Sequence, residues 1–422
     1  MIDPLILVRG LHIAASVLAA GTVGFLVLVA EPAARMAHAA APLDLLRRRL
    51  RLLTWSALGV AIAAGAGWLL LLAADILGAS IYDVLVDGGA WQVASETRFG
   101  LVAATRLVLA LALGVLVLWP AARWPALAAA ALFIALLGLT GHAGATPGLG
   151  GLLLLTSDLV HLLAAGVWLG GLPALALLLA QARNKTNPAG RAFARAATRR
   201  FGWLGIVCVA ALLASGLFNS WNLLAGPGDL LASDYGRLLS LKLGLVAAML
   251  AIAAVNRFHL SPRLAAPGAL RALQRNSLAE AGLGLGVLLL VGALGTLQPT
   301  AHSHAHTPSA EIPPEAAFVH IHDVAVMADV TIDPGRAGPA RATIRVSRED
   351  SENFAIKEVR LALDPPNATT KSMEQLAEHQ PDGSWKVQRL EIGQSGIWTV
   401  RVIVVPASGQ PLVLDAPIVI ER

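Results

Sequence analysis

The residues best able to do chemistry in this chain are imidazoles in unusually apolar surroundings. His12 and His161 lie inside long apolar runs, and His142 sits in the small-residue turn Gly141-His142-Ala143-Gly144-Ala145. Asp158 precedes His161 by three positions, which puts both on one helical face. Arg106, Lys242 and Glu280 are further ionisable groups within apolar runs. Such groups are expensive in hydrocarbon, so they face a bundle interior or a pathway and point to function by default. Three histidines converging from one side suit a late transition metal: copper, zinc or nickel. On this reading His12, His142 and His161 are ligands. Asp158 either fixes a ring tautomer or pairs with Arg106, and both stand behind the ligands. Cys208 is the single cysteine, so thiolate zinc and iron–sulfur sites lack ligands. There are five methionines, only Met249 in a helix core, which argues against a thioether pathway for Cu(I).

A second group of imidazoles follows the apolar region. His302, His304 and His306 alternate beside Pro308, Pro313 and Pro314, as in a flexible linker carrying imidazoles. His320 and His322 alternate in a strand-like run and so share one face, with Met327 close behind. This concentration favours metal capture. His38 and His259 fall at the ends of apolar runs as interfacial residues, and His379 stands apart.

The elements that must position these groups follow from composition. Hydrophobic residues make up 56% and charged residues 14%, against about 25% charged in soluble proteins, which excludes an ordinary soluble enzyme. Eight stretches reach the roughly 20 apolar residues that a membrane span needs: Leu5–Ala30, Leu52–Ala74, Phe99–Trp119, Ala121–Gly141, Leu152–Ala180, Phe201–Leu224, Leu238–Val255 and Ser277–Leu297. The first is too long for a signal-peptide core and is read as a retained helix. Arginine and lysine crowd the loops after the first, fifth and seventh stretches (Arg47, Arg48, Arg49 and Arg51; Arg195, Arg199 and Arg200; Arg263, Arg271 and Arg275), and Arg123 lies in the turn after the third. The alternate loops are acidic or uncharged. The bias places those cationic loops in the cytoplasm and both termini outside. His12 and His161 then lie about 10 and 13 Å into helices that run the same way, at similar depth in the outer leaflet.

From about residue 300 the chain turns polar. Residues 318–420 read as seven or so short strands with turns at Pro334-Gly335, Pro365-Pro366-Asn367, Asp382-Gly383 and Ser408-Gly409. This spacing suggests a small Ig-like β-sandwich with Trp385 and Trp398 in its core and no disulfide. The expected organisation is an eight-helix membrane domain over 1–298, a His/Pro-rich linker over 299–316 and an extracytoplasmic sandwich over 317–422.

Several motifs carry a resemblance: Arg9-Gly10-Leu11-His12, the His142 turn, Asp158 to His161, Trp168 to Gly171, Ser233 to Arg237 with Lys242, and Asn256-Arg257. In this order, over about residues 1–298, they resemble the CopD family of bacterial copper-resistance membrane proteins. The tail, with Val319 to His322 and Met327 to Val330, is similar to the YtkA or FixH-like sandwich domains fused to such proteins, and loosely to the CopC copper carrier. The resemblance implies a multi-pass inner-membrane protein that handles copper ions, imports them from the periplasm and can meet a periplasmic carrier of the CopC type. No Walker A or phosphorylatable ATPase motif is present, and neither catalysis nor a nucleic-acid partner is expected. Two other readings use the same residues: a haem-binding electron carrier held by His12 and His161, and a factor that delivers copper without transporting it.

Overall fold

A computed structural model of the chain describes residues 3–140, 148–183, 187–223, 229–266, 268–297, 313, 315–322, 326–347, 355–365, 372–407 and 411–421. Among them are eight helices long and apolar enough to cross a membrane: α1 Pro4–Met36, α2 Ala40–Leu77, α3 Arg98–Leu116, α4 Pro120–Thr140, α5 Gly150–Gln181, α6 Pro188–Asn222, α7 Asp234–Arg263 and α8 Ala269–Leu294. The all-α polytopic bundle is therefore as expected, one helix per apolar stretch. Three helices begin well before their stretches. The arginine-bearing starts of α2 and α6 are helical because their apolar residues still find a core: Leu46, Leu50, Phe193, Ala194 and Ala197 are all buried. Hydropathy marks the lipid-crossing part of a helix, not its amphipathic prolongation in the interface.

Local chemistry sets the helix ends and irregularities. Pro4 opens α1 behind Asp3, whose carboxylate accepts the Leu5 N–H at 2.8 Å. Near its other end α1 widens into a π-turn over Leu26–Ala30, just ahead of Pro32. Pro32 has no N–H to return to Leu28, and Arg200 Nε donates to that carbonyl instead. α7 carries a second π-turn at Asn256–Leu260.

The chain divides into two compact units, Met1–Leu72 with Leu101–Gly144 and Leu153–Ser303, and Ala73–Gly100 with Ala145–Leu152 and His304–Arg422. In the first, α1 and α5 are the most enclosed helices, with 83% and 61% of their apolar windows buried against 39% or less for the other six. They meet backbone to backbone. A Cβ on Gly21 would collide with Gly170, and one on Gly170 would collide with the Val17 carbonyl. Small residues permit this close approach, which replaces a hydrophobic driving force that lipid does not supply. One apolar core lies on each side of the pair: Phe25, Leu178, Phe193 and Met249 in one, and Val17, Leu58, Leu113 and Phe133 in the other.

In the second unit nine strands form two antiparallel sheets: β1 Ala317–His322, β2 Met327–Asp333, β3 Gly338–Ser347, β4 Ile356–Asp364, β5 Met373–Leu376, β6 Glu378–His379, β7 Trp385–Ile392, β8 Gly396–Pro406 and β9 Leu412–Ile420. The sheet orders are β1-β2-β3-β7-β6 and β5-β4-β8-β9. Their inner faces share one core that includes Ile344, Leu361, Trp385, Trp398 and Val402. The seven expected strands are all present. β5 and β6 are additional. They are short edge strands whose side chains alternate between half-buried and exposed or are exposed throughout, so they lack an apolar signature.

Candidate functional site

The two intramembrane histidines occupy different polar clusters on opposite sides of the α1–α5 pair. His12, on α1, has both ring nitrogens engaged. Arg106 Nη2, on α3, lies 2.9 Å from His12 Nε2, and His12 Nδ1 lies 2.7 Å from the Ala61 carbonyl of α2. A guanidinium can only donate, so Nε2 accepts and Nδ1 carries the proton that Ala61 receives. Arg106 also donates to Ser16 Oγ at 2.9 Å and to the Phe133 carbonyl of α4, with its guanidinium 4.4 Å above the Phe133 ring. Trp68 packs edge-on to the imidazole at 5.7 Å. Gly65 makes room for the ring: a Cβ there would stand 3.0 Å from two of its atoms. Asp158 does not pair with Arg106, contrary to one of the two expected arrangements. Arg106 spends its donors on His12, Ser16 and Phe133, and Asp158 faces another helix.

That helix is α6. Asn219 Nδ2 donates to Asp158 Oδ1 at 2.6 Å, and His161 Nδ1 lies 2.9 Å from Ser215 Oγ. The Ser215 hydroxyl donates to the Ala211 carbonyl at 2.6 Å, so it accepts from His161, whose Nδ1 is protonated. His161 Nε2 is left with its lone pair and no partner among the described residues. Asn219 Oδ1 is buried with no partner among the described residues. Lys242 of α7 interacts electrostatically with both Asp158 and His161. Ser215 and Asn219 answer Asp158 and His161 because an i,i+4 pair on one helix faces an i,i+3 pair on the other. That polar spacing in α6 was the signal that would have found them.

A third buried cluster links Asn256 of the α7 π-turn to Glu280 of α8, while Asn276 donates to Asn256 Oδ1 at 2.8 Å.

His142, His302, His304 and His306 lie outside the described residues. In the sandwich, His320 and Asp329 are directly opposed on β1 and β2, with Nδ1 2.6 Å from Oδ1. His322 pairs in register with Met327, which is 3% exposed. Among the described residues no three His, Cys, Asp or Glu side chains gather as a metal site.

Residues 1–152 match the family model of the copper resistance protein D-like N-terminal domain, and residues 195–294 match that of copper resistance protein D. Three relatives match part of the chain. The inner membrane protein YebZ of Escherichia coli (strain K12) is 32% identical over 264 residues, covering 60% of this chain and 87% of that protein. Copper resistance protein D of Pseudomonas syringae pv. tomato is 34% identical over 175 residues, 39% of this chain and 56% of that one. The copper transport protein CutJ of Bacillus subtilis (strain 168) is 26% identical over 254 residues, 58% of this chain and 43% of that one. The chain thus spans about half the length of the latter two. The two domain matches and the coverage of YebZ share one conclusion: this multi-pass membrane protein belongs to the copper resistance protein D family.

Proposed function

We propose that this chain binds copper within the inner membrane and passes it inward from the periplasm, with His161 as its central ligand. The observation that carries this is the unpartnered Nε2 of His161. Its ring is already held by Ser215, and it stands beside Asp158 and the orphaned Asn219 oxygen. A ligating imidazole usually donates its other N–H to an anchoring acceptor, and here that bond is already in place. Asn219 holds Asp158 Oδ1 at 2.6 Å, so the carboxylate is oriented next to His161 before metal arrives. In this reading His142 completes the site at the outer mouth. His12 lies in the other cluster, outside this site, and its lone pair is free for metal only when Arg106 lets go of Nε2. His302, His304 and His306 capture metal loosely and feed it inward, with His320 and His322 as a further capture surface, while Met327 is buried and takes no part in it.

Both termini are placed in the periplasm on the charge bias of the loops. A periplasmic carrier of the CopC type is then the natural donor. A haem held by His12 and His161 is disfavoured, because Arg106 already occupies the His12 lone pair.

The test is the copper content of the purified full chain, wild type against His161→Ala, followed by copper uptake into proteoliposomes. Loss of bound copper in the variant and uptake by the wild type support the proposal. Equal copper in both sinks the His161 assignment. Binding without uptake turns the protein into a delivery factor.

A further inference from the structure

A narrow cleft, partly open to solvent, lies at the end of the bundle where α1 leaves the apolar layer, α2 enters it and α3 turns into α4. Leu26, Val27, Leu50, Leu116, Val117 and Ala126 form its apolar wall, and Arg47, Arg51 and Arg123 line it together with Glu31. Glu31 is 4% exposed. Its carboxylate takes Arg47 Nη2 at 3.0 Å and faces Arg123 Nε at 3.7 Å. Arg47 reaches out to the exposed Asp44 at 2.8 Å. The single buried carboxylate leaves the cleft with excess positive charge. Two donors have no partner among the described residues: the Nε atoms of Arg47 and Arg51, both buried. Buried donors are satisfied in nearly all native structures, so a pair of them on two arginines that line one cleft marks cationic hydrogen-bonding capacity left unused by the described residues.

We infer that this cleft holds the phosphodiester of an anionic phospholipid. Guanidinium groups are suited to phosphate oxygens because their donors lie in a planar fork, and a basic pocket between membrane helices is a recurrent headgroup site. The surroundings favour a lipid over a free anion. The wall above the arginines is apolar, which suits an acyl chain. Trp55, Trp119 and Trp124 are exposed near the same end, where tryptophans mark the headgroup layer. Glu31 then has a defined part: it spaces Arg47 and Arg123 apart so that their remaining donors face the cleft.

The experiment uses the full chain purified in a neutral detergent and stripped of lipid. Retention of dioleoylphosphatidylglycerol, dioleoylphosphatidylcholine and inorganic phosphate is measured by native mass spectrometry and by thermal shift. The expected result is selective retention of the phosphatidylglycerol, weakened about tenfold or more in Arg51→Gln, since a charge-assisted bond to phosphate is lost. Arg48→Gln removes the same charge from an exposed position outside the cleft and should retain the lipid as wild type does. Arg51 has no protein hydrogen bond to lose at Nε, so its variant should stay folded, as its elution profile will check. Equal retention of phosphatidylcholine would overturn the proposal, as would equal losses in the Arg48 and Arg51 variants. Phosphate displacing the lipid at millimolar concentration would overturn the lipid assignment and leave a free-anion site.

Discussion

Arg106→Met is the sharpest probe of the bundle. The side chain joins three helices: it donates to His12 and Ser16 of α1 and to the Phe133 carbonyl of α4, from its place on α3. Interhelical hydrogen bonds in membranes contribute about 0.6–1.7 kcal/mol each, so losing three costs about 2–5 kcal/mol. The apolar replacement also relieves the burial of a charge, which moves the expectation toward the lower end of that range. Thermal unfolding in detergent, followed by loss of the monodisperse peak, gives the stability change. His12→Phe keeps the aromatic packing on Trp68 and removes the acceptor. A double-mutant cycle between the two should therefore return a coupling near the worth of one bond. The variant has a second consequence. Met cannot hold Nε2, so the His12 lone pair becomes available. Arg106→Met should gain copper binding, read by competition with a chromophoric chelator, and His12→Ala in the same background should abolish the gain. Unchanged stability would refute the network. A destabilised variant with no His12-dependent gain would refute the idea that Arg106 withholds a ligand.

Three further outcomes follow. Ser215→Ala frees the His161 ring to change tautomer and orientation, so copper affinity measured by chelator competition should fall about 10–100-fold; an unchanged affinity would remove Ser215 from the site. Gly21→Ala forces a methyl into the Gly170 backbone and should cost at least the roughly 1–3 kcal/mol of ordinary overpacking, whereas Gly24→Ala meets only a Val167 methyl at 3.8 Å and should be tolerated in the same unfolding assay. In the sandwich, the Ser384 O–H at 2.6 Å and N–H at 3.0 Å hold the Asp382 carboxyl below its ordinary 3.8. Asp382 therefore stabilises its turn above that pH and ceases to as pH falls through its lowered folded value. Carbon-13 NMR titration should show a midpoint below 3.8 that rises in Ser384→Ala, and coincident midpoints would contradict the assignment.

The membrane helices were legible because lipid demands about 20 apolar residues per span and permits few exceptions. The prolongations of α2 and α6 were not, since a helix start rich in arginine reads as a loop until its few buried residues find partners. The longer strands of the sandwich were visible in their alternation, while β5 and β6 bury too little to leave a pattern. At the candidate site, the residue types pointed to Asp158, His161, His12 and Arg106 as groups apart from their surroundings. Which of them meet depends on how each helix is rotated about its axis, and a one-dimensional pattern carries little of that. The sequence offered Arg106 either to Asp158 or to the neighbourhood of the ligands; helix rotation turned it to His12. Ser215 and Asn219 were passed over because single hydroxyls and amides in an apolar helix look incidental until a histidine and a carboxylate are found opposite them.

The contact between Gly21 and Gly170 has a mechanical side. His12 lies nine positions before Gly21 on α1, and His161 lies nine positions before Gly170 on α5. At 1.5 Å per residue each imidazole sits about 13 Å along its helix from the crossing point. With the two backbones in contact there, the helices cannot slide past one another, but they can still scissor. The crossing is a fulcrum with two arms of equal length, and opening it by about 5° moves the ends of the arms apart by about 1 Å at that radius. A change of that size is enough to remake the hydrogen bonds around either imidazole, while the contact at the fulcrum is left almost undisturbed.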